Sequence, residues 1–277
     1  MKNIARNPLS KGFSLVEIAV VVMILSVLIA SVISGKALIE NSSIRSFINE
    51  TTTLRMKIKK FYDIYGFLPG DHPNASQTIK MGLINGNGDG RIAINNKTTQ
   101  NNTIVTNAIT SATVNEVYTL FSHLYATGTV DVPYTGLPLG GASSNQVTAL
   151  NVNVPESKAY QGVAMYFRSD LRPEMSGNFG IKKPSLILEA SSISTQDNTT
   201  GFGGSGAISP DIAYKIDMKV DDGLPYEGNF FAYTSTTNSY QSCTSNNANT
   251  YITGAKYTSN VAQSCIVSFS ITEYNYL

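Results

Sequence analysis

From Phe13 to Ile33 the chain is apolar at almost every position, interrupted by Glu17 and a few serines. About 21 residues at 1.5 Å each reach roughly 31 Å, the thickness of a bilayer's hydrocarbon core, so the pattern predicts one membrane-spanning helix. Beyond Lys36 the uniform run gives way to helical spacing: Ile44, Phe47, Ile48, Thr51, Leu54, Ile58, Phe61, Tyr62 and Tyr65 share a face, with Arg55, Lys57, Lys59 and Lys60 on others. No proline interrupts positions 13 to 65. That predicts a single helix of about 80 Å whose second half packs on a globular domain; the alternative is two helices broken near Ser34 and Gly35. Gly66 and "LPG" at 68 to 70 end it.

The body then changes character. "YGFLPGDHPNASQTIKMGLINGNGDGRIAINN" is dense in Gly, Asn, Asp and Pro and predicts loops and turns. A helix is expected over about 114 to 127, where Thr113 and Glu116 make a capping box and Val117, Leu120, Phe121 and Leu124 share a face; His123 lies off that face and is expected to be at the surface or partly buried. Strand patterns follow at 162–168, 185–190, 229–234 and 265–271, joined by polar stretches too long for hairpins. A second helix starts at Ser209 as N-cap with Pro210 in its first turn and stops at Gly223, with Ile212, Ile216 and Val220 as its buried face. The arrangement predicted is α+β: an antiparallel sheet laid on the long N-terminal helix.

Composition and charge narrow the function. At 277 residues the chain can bury a substantial core, and its polarity comes from Asn, Ser and Thr more than from charged groups, which make up 14%. Such a surface suits an extracytoplasmic protein. Lys2, Arg6 and Lys11 precede the apolar run, which leaves the remainder at −2 against the chain's +1, so no basic stripe for nucleic acid is expected. The basic leader places the N-terminus in the cytoplasm and the body outside. In an exported body the two cysteines, Cys243 and Cys265, pair in a disulfide worth roughly 3 kcal/mol on a chain-entropy account; the alternative is two unrelated buried thiols.

A secretory signal peptide would have a shorter apolar region and a small-x-small cleavage site directly after it. A plain signal anchor explains the length and topology but not Glu17, since a carboxylate inside the span costs a few kcal/mol. The stretch "KGFSLVEIAVVVMILSVLIA" resembles the class III signal of type IV prepilins and type II secretion pseudopilins: a short basic leader ending in Gly, then Phe, then Glu at the fifth mature position, then an apolar helix. Gly12, Phe13 and Glu17 occupy those positions. The resemblance implies that a prepilin peptidase cuts between Gly12 and Phe13 and methylates the new amine of Phe13. It also implies a pilin-like fold of the predicted kind. Glu17 then meets a positive amine that exists only after cleavage, within one chain or between neighbours, which makes it an assembly residue. The regions implied are a leader at 1–12, a transmembrane and assembly helix at 13–33, an amphipathic stalk at 34–65 and a globular domain at 66–277. "LPGD", "NGNGDG" and "AYKIDMKVDDGLP" are also similar to segments in a subset of pilin-like proteins, without pointing to a partner.

Two groups of residues invite a metal reading. Asn85, Asn87 and Asp89 in "NGNGDGRIAINN" echo positions one, three and five of a calcium loop, but position twelve is Asn96 and Asp89 is the lone carboxylate, so a Gly/Asn turn is the stronger reading. Asp221 and Asp222 sit where a helix C-terminus disfavours negative charge, with Asp217 one turn back; a cation such as Ca2+, a basic side chain or loop N–H groups must compensate. No nucleophile elbow, phosphate loop, dinucleotide fingerprint or zinc spacing occurs, and no enzyme is expected. The function expected is a structural subunit, minor or specialised given the large body, with the prepilin peptidase, other pilin or pseudopilin subunits and the inner membrane as partners. The alternative is a filament-tip or membrane-anchored module that binds a surface, DNA or a secreted cargo.

Overall fold

The computed structural model describes residues 12–92, 97–100, 103–106, 116–137, 149–170, 185–192, 206–225, 228–234, 243–244, 257 and 265–271. Helix α1 runs unbroken from Leu15 to Tyr65, so Ser34 and Gly35 lie inside it and no break occurs there. The chain divides into two compact units, residues up to Ser43 and residues from Ile44 onward.

In the first unit every described side chain from Phe13 to Ile33 is exposed. The two serines inside the helical run turn their hydroxyls onto the helix itself: Ser26 Oγ donates to the Val22 carbonyl at 2.7 Å and Ser31 Oγ to Val27 at 2.8 Å. This satisfies the hydroxyl donors without any partner from outside, as an apolar medium demands.

In the second unit, Ile44, Phe47, Thr51, Leu54, Ile58 and Phe61 of α1 are buried, the stripe that the spacing predicts. Ile48, Tyr62 and Tyr65 pack along its edge. The helix closes at Gly66, whose φ of 72° places it in the left-handed region and whose N–H donates to the Tyr62 carbonyl at 2.8 Å. The elements that follow are α2 (Ala75–Thr78), β1 (Lys97–Gln100), β2 (Thr103–Thr106), α3 (Glu116–Ala126), β3 (Val163–Asp170), β4 (Ser185–Ser192), α4 (Pro210–Val220), β5 (Phe230–Thr234) and β6 (Cys265–Ile271).

Strands β3 to β6 form one antiparallel sheet in the order β3-β4-β6-β5, which gives the α+β architecture expected. Every residue of the interior strand β6 is buried, so both of its faces are covered, including the one that carries Ser268 and Ser270. Phe269 of β6 sits opposite Phe230 of β5, with ring centres 4.9 Å apart, and meets Phe47 of α1 at 6.0 Å. Phe121 of α3 reaches Phe167 of β3 at 6.3 Å. Glu50 on α1 adds a polar tie: its carboxylate accepts the Ser157 hydroxyl and the Lys158 N–H, both at 2.9 Å. The hairpin β1–β2 was not expected, although Thr-rich runs on either side of Asn101 and Asn102 are a recognisable β signal.

Three local expectations need correction. Helix α3 is buried on every side from Glu116 to Leu124, so His123 is fully buried and not at the surface. The reason is the segment 68–90, which crosses the side of α3 opposite its core face. Thr113, the other half of the expected capping box, lies outside the described residues. In α4 the buried set is Pro210, Ala213, Ile216 and Asp217, while Val220 is exposed and Ile212 half-buried, so the inward face is rotated toward a carboxylate. Ser209 occupies the N-cap but its side chain makes no capping hydrogen bond.

Segment 68–90 is held by backbone packed on backbone. Gly70 (φ 94°) presses on α3, where a β-carbon would stand 2.5 Å from the Glu116 carbonyl oxygen. A β-carbon on Gly86 would collide with the backbone of Gly70 and Asp71. Backbone cannot yield as a flexible side chain can, so Gly86→Ala should destabilise the body by about 1–3 kcal/mol. Thermal unfolding of the variant beside wild type checks this; a loss within about 0.5 kcal/mol would show that space is not the constraint at Gly86.

Candidate functional site

The residues predicted for processing and assembly sit together at the start of α1. Gly12, Phe13 and Ser14 precede the helix and are exposed, and nothing lies within 4 Å of where a Gly12 β-carbon would be. The helix begins at Leu15, with the Ile18 N–H donating to the Ser14 carbonyl at 3.2 Å. Glu17 is the acidic residue of the first turn, exposed and next to the helix's positive end. Gly12, having no side chain, leaves the backbone open to close approach. Phe13 and Glu17 are four positions apart, with Phe13 two residues before the helix begins. This is the one described helix long and apolar enough to cross a membrane.

The side-chain oxygens of Asn85 and Asn87 are engaged by nearby backbone N–H groups. Asn85 Oδ1 accepts the Ser76 N–H at 2.8 Å, and Asn87 Oδ1 accepts the Asp89 N–H at 2.9 Å. Asn96 lies outside the described residues. The loop instead wraps Asp71, a residue the sequence reading passed over: Asp71 Oδ1 accepts from Gly88 and Asp89 N–H at 2.7 and 3.0 Å, and Oδ2 from Gly90 at 2.9 Å. Burial pushes Asp71 up to about 7, aided by the Asp89 charge and opposed by the three loop N–H groups. Carboxylate oxygens of Asp71, Asp89 and Glu116 lie within 4.8 Å of one another, the one described group of this kind that could hold a metal ion. Both Asp71 oxygens already accept loop N–H groups, and Glu116 Oε1 accepts the Asn87 N–H at 3.2 Å, so the cluster reads as an anchor for the loop. Its only sequence signal is an Asp directly after "LPG", ahead of a run of alternating glycines.

Asp217, Asp221 and Asp222 each meet the loop N–H groups proposed as one form of compensation. Asp217, fully buried, accepts the Tyr257 hydroxyl at 2.8 Å and the Gly223 N–H at 3.1 Å. Asp221 accepts the N–H groups of Asn229 and Phe230, and Asp222 that of Leu224 at 2.8 Å. Together they fold the chain sharply after α4 and lead it into β5. Burial raises Asp217 to about 6, assisted by the Asp222 and Asp221 charges, while the Tyr257 and Gly223 hydrogen bonds pull it back.

Cys243 and Cys265 are bonded, with an S–S distance of 1.98 Å. The bond fixes Thr244, which bridges to Tyr257, beside the first residue of β6. Cys265 also exchanges backbone hydrogen bonds with Ile208, just before α4. The closed loop thereby delivers Tyr257 to Asp217. Above pH 6 Asp217 is charged and the Tyr257 bond to it is strong; below about 4 the carboxyl is neutral. Tyr257→Phe should therefore cost about 1.5–3 kcal/mol at pH 7 and distinctly less at pH 4. Denaturant unfolding at the two pH values, with the disulfide intact, measures the difference; an equal cost at both would place Asp217 in one protonation state throughout.

Comparison with known proteins adds one result. The family model described as the prokaryotic N-terminal methylation motif matches residues 8–33, the leader's end together with the apolar half of α1. No curated protein and no solved structure matches the chain. The match brackets Gly12, Phe13 and Glu17, so the chain carries the class III signal of type IV pilins and pseudopilins.

Proposed function

We propose that this protein is a non-catalytic pilin-like subunit, made as a single-pass inner-membrane precursor with its leader in the cytoplasm and its body outside. A prepilin peptidase removes residues 1–12 and methylates Phe13, and α1 then carries the subunit into a type IV pilus or a type II secretion pseudopilus. The observation that supports this best is the juxtaposition at the start of α1: an exposed Gly12–Phe13 junction, Glu17 in the first turn, and a helix exposed along its apolar length. Exposed apolar surface of this extent needs lipid or other apolar helices around it, and exchange of one for the other is what assembly into a filament provides.

Glu17 supplies the register. A lone carboxylate among apolar helices is unfavourable, and the amine released by cleavage is the one positive group that the processing itself creates. The body's size favours a minor or specialised subunit over a bulk one. A second reading, a binding module at a filament tip, draws support from a cavity of about 350 Å³ whose rim includes Met81, Tyr125 and Leu137, all exposed.

Mass spectrometry of sheared surface and inner-membrane fractions should find the mature chain beginning at methylated Phe13; a Met1 start in both fractions would overturn the processing step. Glu17→Ala should leave cleavage intact and lower the amount in sheared filaments about tenfold or more, the scale of a lost buried ion pair. Normal assembly of Glu17→Ala would remove the pairing role. Dominance of the chain in sheared filaments would argue for a bulk subunit, scarcity for the minor or tip reading.

A further inference from the structure

His123 is fully buried on α3 and uses both ring nitrogens on the segment that crosses it. Its Nδ1 accepts the Gly70 N–H at 3.0 Å, and its Nε2–H donates to the Ile84 carbonyl at 2.8 Å. Only the neutral ring with its proton on Nε2 can make both bonds. Phe61 of α1 stacks on the ring with centres 6.2 Å apart and offers no acceptor for a further proton. A proton added at Nδ1 would face the Gly70 N–H, donor against donor, where the Gly70 backbone lies so close to α3 that a β-carbon on it would meet the backbone of Glu116 and Leu120 at 2.5 to 3.2 Å. The contact can be relieved only by lifting the segment away from α3.

We infer that residues 68–90 form an acid-released strap whose latch is His123: protonation of its ring expels Gly70 and frees the strap from α3. The strap is a single body for this purpose, since Gly86 N–H donates to the His72 carbonyl at 2.9 Å and Gly88 N–H to the Asp71 carbonyl at 2.9 Å. Its residues Lys80 to Ile84 form one wall of the cavity bounded on the other side by Tyr125, Tyr134 and Leu137, so release opens that cavity.

The charged and titratable groups on the packed elements are Asp71, His72, Lys80 and Asp89 on the strap, Glu116, Tyr118 and Tyr125 on α3, and Tyr62, Asp63 and Tyr65 in the last turn of α1. His72 is occupied locally, its Nδ1 accepting the Asn74 N–H at 3.1 Å and its Nε2 meeting the Thr78 hydroxyl at 3.2 Å; Tyr65 packs against it at 6.1 Å. Burial holds His123 down at about 4, with the nearby His72 acting in the same direction and the Ile84 carbonyl in the opposite one. A value depressed in the strapped state means that the latch is fully effective above the ordinary histidine value near 6.5 and is lost as pH falls toward 4. Asp71 works in the other sense, because the strapped state raises it. The test must therefore separate the two.

Hydrogen exchange of the full chain in detergent micelles, corrected for intrinsic rates and read on peptides covering 68–90, is compared between wild type and His123→Gln at pH 7 and pH 4.5. Asp71 contributes equally to both proteins, so the ratio of their protection isolates the latch. The wild-type advantage should fall about 100-fold between the two pH values, two pH units of linkage. An unchanged ratio overturns the inference. NMR titration of the wild-type imidazole gives a second reading that needs no variant: His123 should stay neutral at pH 5.5 while Gly70 is protected. A protonated ring beneath a protected Gly70 amide would equally overturn it.

Discussion

The burial of one stripe of α1, from Ile44 to Phe61, is the contact on which the rest of the body is arranged. Phe47 meets the sheet through Phe269, Phe61 meets α3 through His123, and Glu50 pins the turn that feeds β3. A helix can present one apolar stripe to a core while the same helix, further toward its N-terminus, presents apolar side chains all round. These two patterns define two environments along one uninterrupted element. Leaving the all-round pattern in water is costly, which favours an apolar environment for the N-terminal part, while the single stripe supplies the body with its foundation.

Around that foundation the body is organised by buried or half-buried carboxylates. Asp71, Asp217 and Asp221 each collect the backbone N–H groups of an irregular segment that has no ladder to satisfy them. Burial of an acid is unfavourable, and several N–H donors aimed at it offset that penalty while fixing the loop's path. The Gly-rich composition of these segments has the same origin. Gly86 and Gly70 are required where main chain lies directly on main chain, and a loop that must circle a carboxylate cannot carry side chains on its inner side. What resembles a cation loop in the sequence is, in the fold, a loop closed on an acid from elsewhere in the chain. The disulfide belongs to the same scheme, since it holds the strand start and the tyrosine that satisfies Asp217.

Much of the fold was legible in the residues. The apolar stripe of α1, the four sheet strands, the two shorter helices and the pairing of Cys243 with Cys265 follow from periodicity, turn chemistry and cysteine count, because each depends on local spacing or on there being one partner available. The start of α1 was equally legible: Gly12, Phe13 and Glu17 fall within a motif defined by order along the chain, which tertiary packing does not alter. The hairpin β1–β2 was missed because its two strands are only four residues long, too short for a sustained alternation to stand out.

By itself, then, the sequence determined the N-terminal methylation motif, the helix with its two patterns and the antiparallel α+β plan, since all of these are encoded at fixed short spacings. Only the tertiary structure decided what the polar residues of the body do. Asp71 and the loop at 86–90, His123 with Gly70 and Ile84, and Asp217 with Tyr257 are separated by up to 53 positions, and no periodicity links them. Their meaning arises where the strap crosses α3 and where the disulfide loop returns to α4. There, exclusion of water turns residues that would be ordinary surface polar groups into obligatory hydrogen-bond partners.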